Sequence, residues 1–217
     1  MCGRYTLITD IKKVAESFGV DPLPTSSPRY NIAPTQDIVA ILKNGTAHLS
    51  ALRWGLIPAW AKDESIGSRM INARAETLAE KPSFKSLLRG KRCLVVADGF
   101  YEWRAEGKSK TPMYITLQDN QPFAFAGLWD IWKAPDGQQI QSCTIITTEP
   151  NDLMATIHNR MPAILRPGAY EDWLNPQLRD EHVLTHYLQP YPTELMKARP
   201  VSKLVNNPRN ETAEILA

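Results

Sequence analysis

Long apolar runs are missing from this 217-residue sequence. A membrane-spanning helix needs about 20 consecutive apolar residues. No stretch approaches that, so no membrane contact is expected. The N-terminus has no basic stretch followed by an apolar one, the pattern of a secretory signal, and the expected location is the cytoplasm. Cysteine is scarce, with Cys2, Cys93 and Cys143 far apart and odd in number. No Cys-x-x-Cys pair occurs, and the four histidines do not fall at metal spacing. That argues against a disulfide framework, a structural zinc and any metal cofactor. A dominant charge is lacking too. The net charge of +2 excludes a broad basic surface, although a local groove of arginines can still meet a nucleic acid.

What is present reads as a globular chain of 43% hydrophobic and 22% charged residues, which suits one domain over residues 1–217. "TDIKKVAESFG" predicts a helix, with Thr9 as N-cap, Ile11, Val14, Ala15 and Phe18 on one face, and Gly19 at its end. A proline-rich loop follows, "DPLPTSSPRYNIAPTQ". "IVAILK" and "TAHLSALRW" form a hairpin around Asn44-Gly45, read as a type I′ turn. The segment from Trp54 to Thr77 is long and irregular. Its bulky Trp54, Trp60 and Met70 argue against disorder. After a short helix at "SFKSLLRG", strands dominate: "RCLVVADGFYEWR", "PMYITLQ", "FAFAGLWDIW" and "SCTIITT". Cys93 and Cys143 sit in these apolar runs as core residues. "NDLMATIH" is a short helix capped by Asn151, "RMPAIL" a strand, "AYEDWL" and "EHVLTHYL" helices, and the tail holds one more strand. Strands and helices do not alternate as βαβ units. The fold class expected is α+β, a single domain with a mainly antiparallel, barrel-like β-sheet and flanking helices. Nothing suggests more than a monomer.

Four polar segments interrupt the apolar pattern: "MCGR", "INARAET", "DGFYEWR" and "IHNRMP". Met1 is normally removed when its neighbour is small. Cys2 would then carry a free α-amine beside its thiol, a pair no internal cysteine has. Glu102 has two readings. It is either the solvated face of a strand or a carboxylate held in a cleft with a raised pKa. Strict alternation would put Asp98 on the same face as Glu102. His158 ends a short helix, where the helix dipole favours its charged form, and it is also a candidate general acid or base. Arg4, Arg74 and Arg160 each lie in one of these segments and are either surface solubilisers or phosphate contacts. Trp54 and Trp60 are either core residues or stacking platforms for bases.

Taken in order, "MCGR", "YNIAP", "RWGLIPAW", "INARAET", "ADGFYEW", "IHNRMPAIL" and "VSKLVNN" resemble the SRAP (SOS-response-associated peptidase) family, from Cys2 to near Asn207. The resemblance implies a sensor of abasic sites in single-stranded DNA. Such a protein removes its own initiator methionine and forms a covalent crosslink through its N-terminal cysteine, with peptidase-like and lyase-type chemistry. Matched motif by motif, Cys2 is the crosslinking residue, Asn72 the amide lining the pocket, Glu102 the catalytic carboxylate and His158 the catalytic histidine. Arg4, Arg74 and Arg160 fall where the family grips the DNA backbone, and Trp60 in its base-contacting loop. No cofactor is implied. The alternative reading is an N-terminal-nucleophile amidohydrolase, in which the Cys2 thiol attacks an amide and its amine acts as base. A non-catalytic single-strand binder would leave Cys2, Glu102 and His158 idle.

Overall fold

The computed structural model describes residues 2–22 and 27–217. Met1 and residues 23–26 of the proline-rich loop lie outside the described residues. In chain order the strands are β1 (Tyr5–Leu7), β2 (Arg29–Ile32), β3 (Asp37–Asn44), β4 (Thr46–Trp54), β5 (Asn72–Arg74), β6 (Arg92–Ala97) and β7 (Gly99–Glu106). They continue with β8 (Ser109–Leu117), β9 (Phe123–Lys133), β10 (Gln139–Thr148), β11 (Met161–Pro162), β12 (Ile164–Leu165) and β13 (Met196–Pro200). The helices are α1 (Ile11–Phe18), α2 (Pro82–Leu88), α3 (Asp152–Ala155), α4 (Tyr170–Leu174) and α5 (Glu181–His186).

The expected α+β class with a mainly antiparallel, barrel-like sheet is what the pairing shows. Strands β10, β4, β3, β6 and β9 follow one another, and β9 pairs back to β10, closing a five-stranded ring. Closure removes exposed strand edges. Only the contacts of β10 with β4 and β5 are parallel. A second sheet, in the order β13-β8-β7-β1-β2, packs against the ring. One continuous apolar cluster runs through both, from Tyr5 and Phe100 to Phe125, Trp54 and Ile145. Trp54 is fully buried and meets the Tyr5 ring edge-on at 5.3 Å. Of its two sequence readings, the core one holds.

Local chemistry departs from the sequence expectation at three places. Helix α1 is capped by Asp10, whose side chain accepts from the Lys12 amide, and not by Thr9. The Thr9 amide and hydroxyl both donate to Asp98. In the β3–β4 hairpin Asn44 pairs directly with Thr46 around Gly45 alone. A type I′ turn needs positive φ at two residues, but here only Gly45, at φ +80°, has it. The stretch "RCLVVADGFYEWR" is two strands in two different sheets. The chain crosses from the ring to the second sheet at Asp98, whose carboxylate accepts from Thr6 Oγ1, the Ile8 amide and Thr9. A side chain at Gly99 would fall 2.3 Å from the Tyr114 hydroxyl, so only glycine fits the crossing. The break resets the alternation. Asp98 turns toward Tyr114 and the end of β1, and it does not share a face with Glu102.

Candidate active site

The geometry of the site begins with β1 and β7. Tyr5 lies opposite Phe100 in antiparallel register, and the Tyr101 amide donates to the Arg4 carbonyl at 2.9 Å. Running that register back carries residues 2–3 past Glu102. Along β7, Phe100 packs in the main core while Tyr101 and Trp103 pack in a separate small cluster. Glu102 therefore points to the same side as Phe100, and it is 3% exposed. Cys2 is fully buried. Burial pushes the Cys2 thiol far above its ordinary range, and the neighbouring Glu102 carboxylate adds to the rise. Burial likewise pushes the Glu102 carboxyl up to about 7. Of its two sequence readings, a solvated strand face is excluded.

A second group of residues gathers on β5, β10 and β11. Strand β5 lies parallel to β10, with Asn72 beside Ile145 and Arg74 beside Thr147, and β11 pairs β10 on its other side. The turn 158–160 leads from α3 into β11. Asn72 Nδ2 donates to the Ile145 carbonyl at 3.4 Å, while its Oδ1 is buried with no protein partner. The Thr147 hydroxyl on the same strands is also buried and unpartnered. Buried polar groups are normally satisfied, and these two orphans, on paired strands two register positions apart, are candidates for holding a polar ligand. Thr147 was missed from sequence because "IITT" reads as plain strand. Only its pairing with "INAR" reveals it.

His158 is half-buried. Its Nδ1 lies 3.1 Å from the Arg160 backbone nitrogen and 3.2 Å from the Arg160 carbonyl, so the Arg160 backbone offers a partner to either tautomer of the ring. Burial lowers its pKa below the ordinary value, and the charges of Lys110 and Arg160 push the same way. This reverses the expectation of a dipole-favoured imidazolium. Helix α3 has only four residues, too short to present a useful dipole. Lys110 also acts on Glu102, lowering its pKa. One cation thus acts on both groups.

The basic and aromatic candidates fall in different settings. Arg160 is bidentate on Glu76, at 2.5 and 3.0 Å, and donates to the Thr147 carbonyl at 2.7 Å. Glu76, in "INARAET", is the partner sequence reasoning missed, and Arg160 holds its pKa below the usual carboxylate range. Arg74 is exposed. The Nη1 of Arg4 is engaged inside the protein, donating to Asn31 Oδ1 at 2.8 Å and to the Val205 carbonyl at 2.6 Å. That is not the open guanidinium expected of a backbone grip. Trp60 is 62% exposed, and the chain is anchored on both sides of it. The Ala59 amide donates to Asp130 at 2.8 Å and Trp132 Nε1 to the Ala61 carbonyl at 2.8 Å. Gly55 before Trp60 and Gly67 after it touch backbone to backbone, with room for no side chain at either.

Among the described residues no three His, Cys, Asp or Glu side chains gather to hold a metal, and no helix is long and apolar enough to cross a membrane. A surface cavity of about 520 Å³ is lined by Thr9, Asp98, Tyr114 and Arg199, and by none of the eight candidate site residues.

Comparison with known proteins places this geometry. The chain is 51% identical to "Abasic site processing protein YoqW" of Bacillus subtilis (strain 168), over 100% of this chain and 99% of that protein. It is 35% identical to "Abasic site processing protein HMCES" of Xenopus tropicalis, over 88% of this chain and 66% of that protein. A solved structure of a Bacteroides thetaiotaomicron protein superposes with a TM-score of 0.90 at 31% identity, covering 99% of this chain and 98% of that one. The family model "SOS response associated peptidase (SRAP)" matches residues 1–208. A match of that extent, carried by relatives alike from end to end, means that the chain belongs to the SRAP family.

Proposed function

We propose that this chain processes abasic sites in single-stranded DNA and joins itself covalently to the lesion through Cys2 once Met1 has been removed. The observation that carries this reading is the burial of the Cys2 thiol beside Glu102, a carboxyl pushed up to about 7. Its full-length relatives are named for abasic site processing.

The open form of an abasic sugar bears an aldehyde. The freed α-amine of Cys2, with a pKa of about 7.7–8.0, adds to the carbonyl carbon. The resulting carbinolamine loses its hydroxyl as water and becomes an imine. The thiol then adds across the C=N bond. The sulfur bonds to carbon, the thiol proton ends on nitrogen, and a five-membered thiazolidine closes. Only an N-terminal cysteine supplies both groups at that spacing. A carboxyl near half-protonation at neutral pH can accept the proton of the attacking amine and return one to the departing hydroxyl. His158, as imidazolium, delivers the proton that opens the sugar ring and returns to the neutral ring. Asn72 and Thr147 offer their unpartnered oxygens to the hydroxyls of the lesion. Self-removal of Met1, and any lyase step, belong to the same reading.

Trp60 stacks on a base and the exposed Arg74 meets a backbone phosphate, while Arg160, through both terminal nitrogens, and Arg4, through Nη1, are engaged inside the protein. The net charge of +2 supplies little general attraction, so stacking must select flexible single strands over duplex. The protein works as a monomer in the cytoplasm. The test is a denaturing gel after incubation with an abasic oligonucleotide. A shifted band supports the reading. Glutamine hydrolysis without a band would support the amidohydrolase alternative, against which the closed barrel already counts, since such enzymes pack two sheets between helix layers. Reversible binding alone would support a simple single-strand binder.

A further inference from the structure

Arg4 sits at the junction of three structural units. Its carbonyl accepts from the Tyr101 amide at 2.9 Å, one residue before Glu102. Its backbone favours the Cys2 thiolate, the smallest of the influences on that thiol. Its Nη1 is shared between Asn31 Oδ1 and the Val205 carbonyl. Asn31 is fully buried, and its Nδ2 donates to the carbonyls of Asn207 at 3.0 Å and Asn210 at 2.9 Å. The Glu211 carboxylate accepts from the Tyr30 and Asn31 amides and from Arg29 Nε. Residues 205–211 and β2 thus form one hydrogen-bonded block, and the guanidinium of Arg4 is its attachment to the N-terminal strand. Trp103 Nε1 adds a second tie to that segment, donating to Asn206 at 2.8 Å.

We infer that Arg4 is a positioning residue. Clamped by Asn31 and the C-terminal segment, it holds the two residues before it in register with β7, so that the Cys2 amine and sulfur face Glu102. Residues far from the lesion, at 205–211, thereby contribute to the geometry of the nucleophile. Both bonds leave one terminal nitrogen, so a lysine that reaches the same place keeps part of the clamp, while glutamine loses its charge-assisted bonds. Proximity and orientation carry large rate effects, and small misplacement of a reacting group is costly.

The inference rests on the crosslinking role proposed above, and its test separates the two. Met1-processed protein is prepared as parent, Arg4→Gln, Arg4→Lys and Asn31→Ala, each measured below its unfolding midpoint. Three quantities are read. One is the pH profile of iodoacetamide alkylation at Cys2, followed by mass spectrometry of the N-terminal peptide, which needs no DNA. The second is affinity, and its salt dependence, for a single strand carrying a tetrahydrofuran abasic analogue. The third is the single-turnover crosslinking rate at saturating abasic DNA. Positioning predicts that the Arg4→Gln and Asn31→Ala profiles move to lower pH, because a Cys2 released from its place beside Glu102 loses the burial and the carboxylate that raise its thiol. Their saturated rate falls tenfold or more and the salt slope equals that of the parent, with Arg4→Lys between them and the parent. A salt slope reduced by about one, with an unchanged alkylation profile and saturated rate, would make Arg4 a phosphate contact and overturn the inference. If the parent makes no adduct while the alkylation profiles still move, the crosslinking reading fails and the positioning of Cys2 stands.

Discussion

The Glu102 carboxylate raises the free energy of ionising the Cys2 thiol, and both groups are buried, Glu102 in the middle of β7. Two acids placed so closely out of water do not both carry charge at neutral pH. Glu102 titrates first, at about 7, and the thiol stays protonated. A protonated thiol beside a half-ionised carboxyl is a poor free nucleophile. It is a good partner for a reaction in which the proton moves from sulfur to nitrogen as the ring closes.

That arrangement ties crosslinking to the ionisation of Glu102. The single-turnover rate of the parent should bend near pH 7. Glu102→Gln should lose that inflection and about 10²–10⁴ in rate. A rate profile of the variant parallel to that of the parent would assign the inflection elsewhere.

Stability should carry the opposite mark. Burial raises Glu102 from 4.5 to about 7, so the folded protein keeps a proton that the unfolded chain has released. Stability therefore declines as pH rises between those values. At about 1.36 kcal/mol per unit the decline is at most about 3 kcal/mol. Urea unfolding across pH 4–8 should show it in the parent and not in Glu102→Gln, which becomes the more stable of the two above pH 7.

His158 should be neutral at pH 7, because burial lowers its pKa. Imidazole ¹⁵N chemical shifts report this directly. The acid step then runs through the minor imidazolium, and a ring fully charged at pH 7 would contradict the lowered pKa. If His158 and Glu102 move protons as one unit, the double alanine variant should be little slower than the poorer single one.

The two tryptophans of "RWGLIPAW" should separate. Trp60→Ala, at a 62% exposed position, should leave the unfolding midpoint nearly unchanged. It should weaken binding to single-stranded DNA by about 1–3 kcal/mol. Trp54→Ala, in the core, should cost about 3–5 kcal/mol of stability. Fluorescence anisotropy with a non-reactive abasic analogue and thermal unfolding check the pair.

Much of this molecule is readable from residue order. The apolar runs at 92–97, 113–117, 123–132 and 143–148 are strands, and the four polar breaks hold every candidate site residue but Trp60. What escapes is set by contacts distant in sequence. Asp98 breaks one apparent strand into two because its carboxylate is claimed by the end of β1, about ninety residues earlier. Thr9 loses its capping role to the same carboxylate. Thr147 looks like any strand threonine until β5 lies beside it, and Glu76 gives no sign of meeting Arg160. Arg4 reads as a surface charge in "MCGR", but its Nη1 is engaged by a C-terminal segment two hundred residues away. Local pattern locates elements and polar breaks. Which side chain faces which is decided by the closure of the barrel.

The most direct measurement is the mass and connectivity of the adduct. Met1-processed protein is incubated with an abasic single strand, and the product is digested and sequenced by mass spectrometry. The account predicts a product weighing the sum of both reactants less one water, with the modification on Cys2. The bond should resist borohydride, because a closed ring leaves no imine to reduce, and an uncleaved N-terminal extension or Cys2→Ala should abolish the stable product. An adduct on an internal lysine, an imine fully trapped by borohydride, or an extended protein that crosslinks as fast as the processed one would contradict it.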